Sequence, residues 1–178
     1  MTEIVEEKKR TGIVLDRSPF YAEMGGQVGD TGTLSIGDKT WGVTATQKAG
    51  DAFLHFIKGD ATLESGSQVE VMVDAVRRAA IQRHHTVTHL FHWALHEVTS
   101  PDVSQKGSYV GPEKLTFDFN SPALTPQQVA DIEQLVNERI VDNSVVSWIG
   151  MPYSEVAGND GILQFFGDKY GDSVRVVQ

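Results

Sequence analysis

A chain of 178 residues is long enough for one well-buried domain or two small ones, and its balance of 40% hydrophobic and 22% charged residues excludes a disordered or fibrous protein. A formal charge of −9 argues against a free-standing nucleic-acid binder; the lack of Cys excludes disulfides and leaves His, Asp, Glu or water to finish any metal site within the chain. No window approaches eighteen apolar residues, so nothing is expected to span a membrane.

Met1 to Arg10 is charged and lacks the apolar stretch of a signal peptide; it reads as a solvated leader, with the cytoplasm as the expected compartment. Short strands follow over Gly12–Asp16, Gly32–Ile36, Trp41–Gln47, Phe53–Ile57 and Val69–Val73, the last alternating strictly. Turn signals at Ile36-Gly37-Asp38, Ala49-Gly50-Asp51 and Lys58-Gly59-Asp60 join them at close spacing, which predicts a small antiparallel barrel or sandwich. Between the first two strands, Ser18 to Gly32 carries four glycines in its last eight residues. Such a run exposes backbone N–H groups and permits positive φ, as a ligand-wrapping loop needs; a long hairpin connection would use the same residues. The Lys and Ser/Thr of a phosphate-binding P-loop are missing.

Asp74 to Val98 contains neither Gly nor Pro and reads as one long helix, closed by Thr99-Ser100-Pro101-Asp102. After Ser104–Gly111, Leu115–Phe119 alternates as a strand. A second helix is announced by Thr125 as N-cap, Pro126 at the first helical position and Gln128 completing a capping box, with Val129, Ile132, Leu135, Val136 and Ile140 as its apolar stripe. Asp142-Asn143 stops it. Val145–Ile149 and Val174–Val177 read as strands, and Gly167–Asp172 as a turn cluster. Helices and antiparallel strands segregate, so the second half is α+β.

Five of the six histidines fall within Arg83–His96. On a helix, residues four apart share a face, so His85 and His89 are able to aim at one point, which is half of a zinc site. A histidine-bearing helix surface without a metal is the competing reading. A metalloprotease helix would place Glu directly after the first His; here that residue is Thr86, so the general base is missing. His85 and His96 lie about 16 Å apart along the axis at 1.5 Å per residue, too far to share an ion, which leaves His92 and His96 as packing or polar partners. Arg77, Arg78 and Arg83 lead up to the histidines and Lys106 and Lys114 follow them. This local basic patch suits a phosphate backbone, and equally a solvated helix end.

Phe20 to Gly32, then His85-Thr86-Val87-Thr88-His89-Leu90, then Ser104-Gln105-Lys106-Gly107-Ser108 with Leu115–Phe119, and finally Phe166 to Val177 resemble, in that order, the editing region of a bacterial-type alanyl-tRNA synthetase. The resemblance runs from about Arg10 to Gln178. It implies a small antiparallel β-barrel over residues 1–74 and a two-layer α+β editing domain over 75–178, the latter also found in threonyl-tRNA synthetase and in free-standing alanyl-tRNA editing proteins. It implies hydrolysis of the ester joining serine or glycine to the alanine tRNA. Zinc would be held by His85 and His89 together with a Cys and a His of a C-x-x-x-H expected beyond residue 178. Gly25, Gly26 and Gln27 would face the pocket and Gln105 would line it, with no catalytic group beyond a metal-bound water. Arg77, Arg78, Arg83 and Lys106 would contact the mischarged tRNA, and the rest of the synthetase chain, which carries ATP-dependent aminoacylation, would be the other partner. His84 stands where the family often has Asn, and Met24 where a small residue is usual.

A zinc ion that lowers the pKa of a water suffices, in principle, to hydrolyse so activated an ester. Rejecting alanine requires a group that hydrogen-bonds the serine hydroxyl, since its partner is left unpaired when alanine enters. Gln27, Gln105 or a Thr hydroxyl would fit. Two other functions suit the same residues: a module that binds the tRNA acceptor end without chemistry, and a truncated free-standing trans-editing deacylase.

Overall fold

The β-branched, alternating stretches of the first half pair into a single antiparallel sheet. In the computed structural model, which describes residues 3–7, 10–59, 63–159, 161–162 and 171–177, its strands are β1 (Glu3–Glu7), β2 (Arg10–Val14), β3 (Gly32–Ile36), β4 (Lys39–Ala49), β5 (Ala52–Ile57) and β6 (Glu70–Val73), in the order β1-β2-β5-β4-β3-β6. Ile13, Phe20, Leu34, Val43, Ile57 and Leu63 form its core. Each such side chain, fully buried, contributes about 1.5–3 kcal/mol of hydrophobic stabilisation.

Two expectations change here. The leader contributes a strand: Glu3–Glu7 pairs with β2, Ile4 opposite Ile13 and Glu7 opposite Arg10. The Glu residues around Ile4-Val5 concealed a strand. The sheet, moreover, does not close as a barrel: β1 and β6 are its edges, and among the described residues no ladder joins them. The Glu-rich β1 is a poor template for a further strand, and the four-residue β6 passes directly into a helix.

That helix, α1 (Ala75–Val98), starts where the sheet ends. The Asp74 amide donates to the Thr31 carbonyl (2.8 Å), and the Asp74 carboxylate accepts from the Arg77 amide (2.9 Å), capping the first turn. No helix among the described residues is long and apolar enough to cross a membrane.

The chain divides into two compact units, one running to His89 and adding Lys106–Asp118, the other comprising Leu90–Gln105 and the residues from Phe119 onward. A hairpin of β7 (Gln105–Val110) and β8 (Leu115–Phe119) lies mostly in the first. The second holds the end of α1, then α2 (Pro126–Asp142), β9 (Trp148–Pro152), α3 (Tyr153–Val156) and β10 (Ser173–Val177). Its helices and its antiparallel β9–β10 pair give the α+β class expected.

The capping box of α2 is formed as read: Gln128 N donates to Thr125 Oγ1 and Thr125 N to Gln128 Oε1. Its stripe is buried only in the middle, at Ile132 and Val136, while Val129 and Ile140 are half exposed. β9 begins three residues later than expected, at Trp148, which pairs with Val177 of β10. Residues 167–170 of the turn cluster lie outside the described residues.

Candidate functional site

The glycine-rich loop is a built structure in the first unit. Met24 and Gln27 exchange backbone hydrogen bonds (3.1 and 3.2 Å) around Gly25 and Gly26, whose φ values of 60° and 83° are those of a tight hairpin turn of mirror-image type. A side chain at Gly26 would also run into Ser108. Past the turn, Val28 N donates to the Val110 carbonyl and Val110 N to the Gly26 carbonyl, so the loop is zipped along β7. Gly29 lies against the Thr46 backbone with no room for a Cβ. Asp30 is buried, accepts from the Tyr21 amide (2.7 Å) and pairs with Arg78, whose Nε lies 2.9 Å from either carboxylate oxygen. The hydrogen bond to Asp30 raises the Arg78 pKa, outweighing its partial burial. Arg77 donates to the Gly29 carbonyl (2.9 Å) and Arg78 also to that of Pro19 (3.0 Å). Two of the four cations singled out for tRNA thus clamp the loop to the start of α1. Arg83 and Lys106 are exposed.

Two turns further along α1 the loop delivers a side chain to the histidines. Gln27, only 5% exposed, has Oε1 2.6 Å from His85 Nδ1. A carbonyl oxygen accepts, so Nδ1 carries the proton, and in the neutral form of that tautomer the lone pair lies on Nε2. His85 and His89 stack with centroids 5.1 Å apart and planes at 18°. His89 keeps an open side to solvent, but its shelter against the protein, and then the repulsion of a charged His85, lower its pKa from the ordinary 6.5. A metal requires that neutral form. His84 Nδ1 donates to the Gly111 carbonyl (2.7 Å), the backbone bond that an Asn amide would also make. Met24 is exposed at the head of the turn.

The helix hydroxyls are engaged locally, Thr86 with the Gln82 carbonyl and Thr88 with that of His84. In the second unit, His92 and His96 both direct Nε2 at the Val103 carbonyl (3.3 and 2.6 Å), with rings edge to face. They are polar packing partners, as their distance along the axis implied. Gln105 is half-buried at the head of β7. Among the described residues no three His, Cys, Asp or Glu are placed to hold a metal ion. The donor chemistry of His85 and His89 fits one half of such a site.

Residues 1–77 match the family model for class II (A) tRNA synthetases. Over 168 residues the chain is 49% identical to the alanine–tRNA ligase of Akkermansia muciniphila, covering 93% of this chain and 18% of that protein. The alanine–tRNA ligases of Methylacidiphilum infernorum and Dichelobacter nodosus are 48% and 45% identical, over 92% and 93% of this chain and 18% and 19% of theirs. This chain belongs to the alanine–tRNA ligase family. The chain spans less than a fifth of the length of these relatives, and the match takes in both the glycine-rich loop and the histidine helix.

Sequence reading located the loop and the histidine pair but not the bonds between them. Neither Gln27–His85 nor Asp30–Arg78 has a signature in the chain, since their members are 58 and 48 residues apart.

Proposed function

We propose that this chain forms part of the editing site of an alanine–tRNA ligase, where the ester of serine or glycine on alanine tRNA is hydrolysed. The observation that carries this reading is the stacked His85–His89 pair with Gln27 on the Nδ1 of His85. His85 and His89 would hold zinc together with donors from outside the described residues. When bound, zinc supplies the acidity that makes a water nucleophilic near neutral pH. The chain's own part is to lower the pKa of His89 towards its neutral form and to fix the direction of the His85 ring. Gln27 Oε1 faces His85, and Gln105 is the second glutamine to test for recognition of the serine hydroxyl. Arg83 and Lys106 are the exposed cations offered to the tRNA. On a surface of net charge −9 they give little affinity alone, so the remaining synthetase chain supplies most of it.

The test is deacylation of seryl-tRNA(Ala) by a full alanine–tRNA ligase carrying this segment, against its His85→Ala variant. A fall of about 10²-fold or more with alanylation intact is expected. Equal deacylation by the two enzymes would sink the assignment. A second reading, a module that binds the acceptor end without chemistry, draws on there being only two donors among the described residues. Undiminished tRNA affinity with no deacylation in either enzyme would favour it.

A further inference from the structure

Gln27 holds a place that neither sheet packing nor the turn requires of a glutamine. Its backbone is fixed on both sides: Met24 pairs with it across the Gly25-Gly26 turn, and Val28 and Gly26 are bonded to Val110 of β7. The side chain is thereby sent inward, where it meets His85 Nδ1 at 2.6 Å. An amide can face an imidazole in two ways. With Oε1 towards the ring, Nδ1 bears the hydrogen and Nε2 is a bare lone pair. With the NH2 towards the ring, the hydrogen sits on Nε2 and the outward nitrogen can no longer bind a metal. The two arrangements share one outline and differ in one proton.

We propose that Gln27 is a positioning residue that fixes His85 as its Nδ1–H tautomer, and that the glycine turn serves to deliver this amide rather than to cradle substrate. The proposal rests on the reading of His85 and His89 as metal ligands. It deepens that reading by assigning the loop's task. Acceptors on the second nitrogen of a ligating histidine set ring orientation and basicity, and their loss costs roughly 10- to 100-fold in metal affinity. Glycine at 25 and 26 is then explained from the site inward, because only positive φ at both lets Gln27 turn back onto β7 beside α1.

The experiment uses the whole 178-residue chain and two readouts. The first is the His85 tautomer in metal-free protein, from nitrogen–proton correlation spectra of the imidazoles. The second is binding of zinc(II) alone, competed against a chromophoric chelator, with cobalt(II) absorption as a check on ligation. Wild type, Gln27→Ala and Gln27→Glu are compared, and circular dichroism confirms that each is folded. Wild type should show Nδ1–H. Gln27→Ala should shift His85 towards Nε2–H and weaken zinc about 10- to 100-fold, while Gln27→Glu, which keeps an acceptor oxygen, should restore both. An unchanged tautomer and unchanged affinity in Gln27→Ala would overturn the proposal, as would Nε2–H in wild type. If the tautomer shifts as stated but no variant, wild type included, binds zinc, the positioning role stands and the metal reading falls.

Discussion

The two ends of α1 carry the same motif, a histidine pair four residues apart, and make different things of it. At His85 and His89 the rings stack nearly parallel, and a side-chain amide holds the inner nitrogen of one. At His92 and His96 the rings meet at 74°, and both give Nε2 hydrogens to a single backbone carbonyl, that of Val103. Helical spacing therefore provides the meeting but not its chemistry. What separates the two pairs is which nitrogen the protein takes for itself.

Breaking the support of the first end should produce the largest effect. Asp30 is 1% exposed and Arg78 is its ion-pair partner, so Arg78→Ala leaves a buried carboxylate uncompensated. Removing one member of such a pair typically costs about 3–5 kcal/mol. Urea denaturation should show a loss of that order, whereas Arg139→Ala in the exposed Arg139–Asp142 pair should cost no more than about 1 kcal/mol. Comparable losses in the two variants would mean that the loop is not clamped as described.

The comparison itself is tested by exchanging targets. If His85 and His89 hold zinc as proposed, affinity should fall about 100-fold or more in His85→Ala and stay within about twofold in His92→Ala. Stability should respond the other way. His92 is 3% exposed, so His92→Ala should cost about 1–3 kcal/mol, chiefly through the void it leaves, since the Val103 carbonyl keeps its bond from His96. A His92→Ala protein of normal stability but weakened zinc binding would reverse the assignment of the two ends.

What was legible in the sequence follows the range of the forces involved. The helix around the histidines, the capping box at Thr125 and the strand Gly32–Ile36 are written in neighbouring residues, and the structure has them where they were read. The strand Glu3–Glu7 was hidden because its pairing depends on a partner, and its charges dominate its local pattern. Whether six strands close or stay open depends on what the last one meets, and no local signal records that β6 runs into α1. At the site, the helix spacing located His85 and His89, and the glycines marked the loop. That Arg77 and Arg78 are spent on the loop, and that Gln27 faces a histidine, are long-range facts with no local trace.

His55 sharpens the comparison from the core of the sheet. It shares the tautomer of His85, donating from Nδ1 to the Ile13 carbonyl at 2.9 Å, but its Nε2 accepts from the Ser18 hydroxyl at 2.6 Å, so no lone pair is left over. The residue is 1% exposed, and burial lowers its pKa below 6.5 against the opposing hydrogen bonds to the backbone of Ile13 and Phe53. The unfolded chain, with a pKa near 6.5, takes up a proton on acidification before the folded protein does. Stability is then highest above that value and declines as the pH drops through the interval down to the lowered folded value. The slope is at most about 1.4 kcal/mol per pH unit for this one group. His89 has a lowered pKa of the same sign, so the measurement is a difference: urea midpoints from pH 7.5 to 5 (about the range of an ordinary histidine) for wild type and His55→Gln. The variant should lose part of the slope. An undiminished slope would place the titration elsewhere, and would mean that burial does not hold His55 neutral.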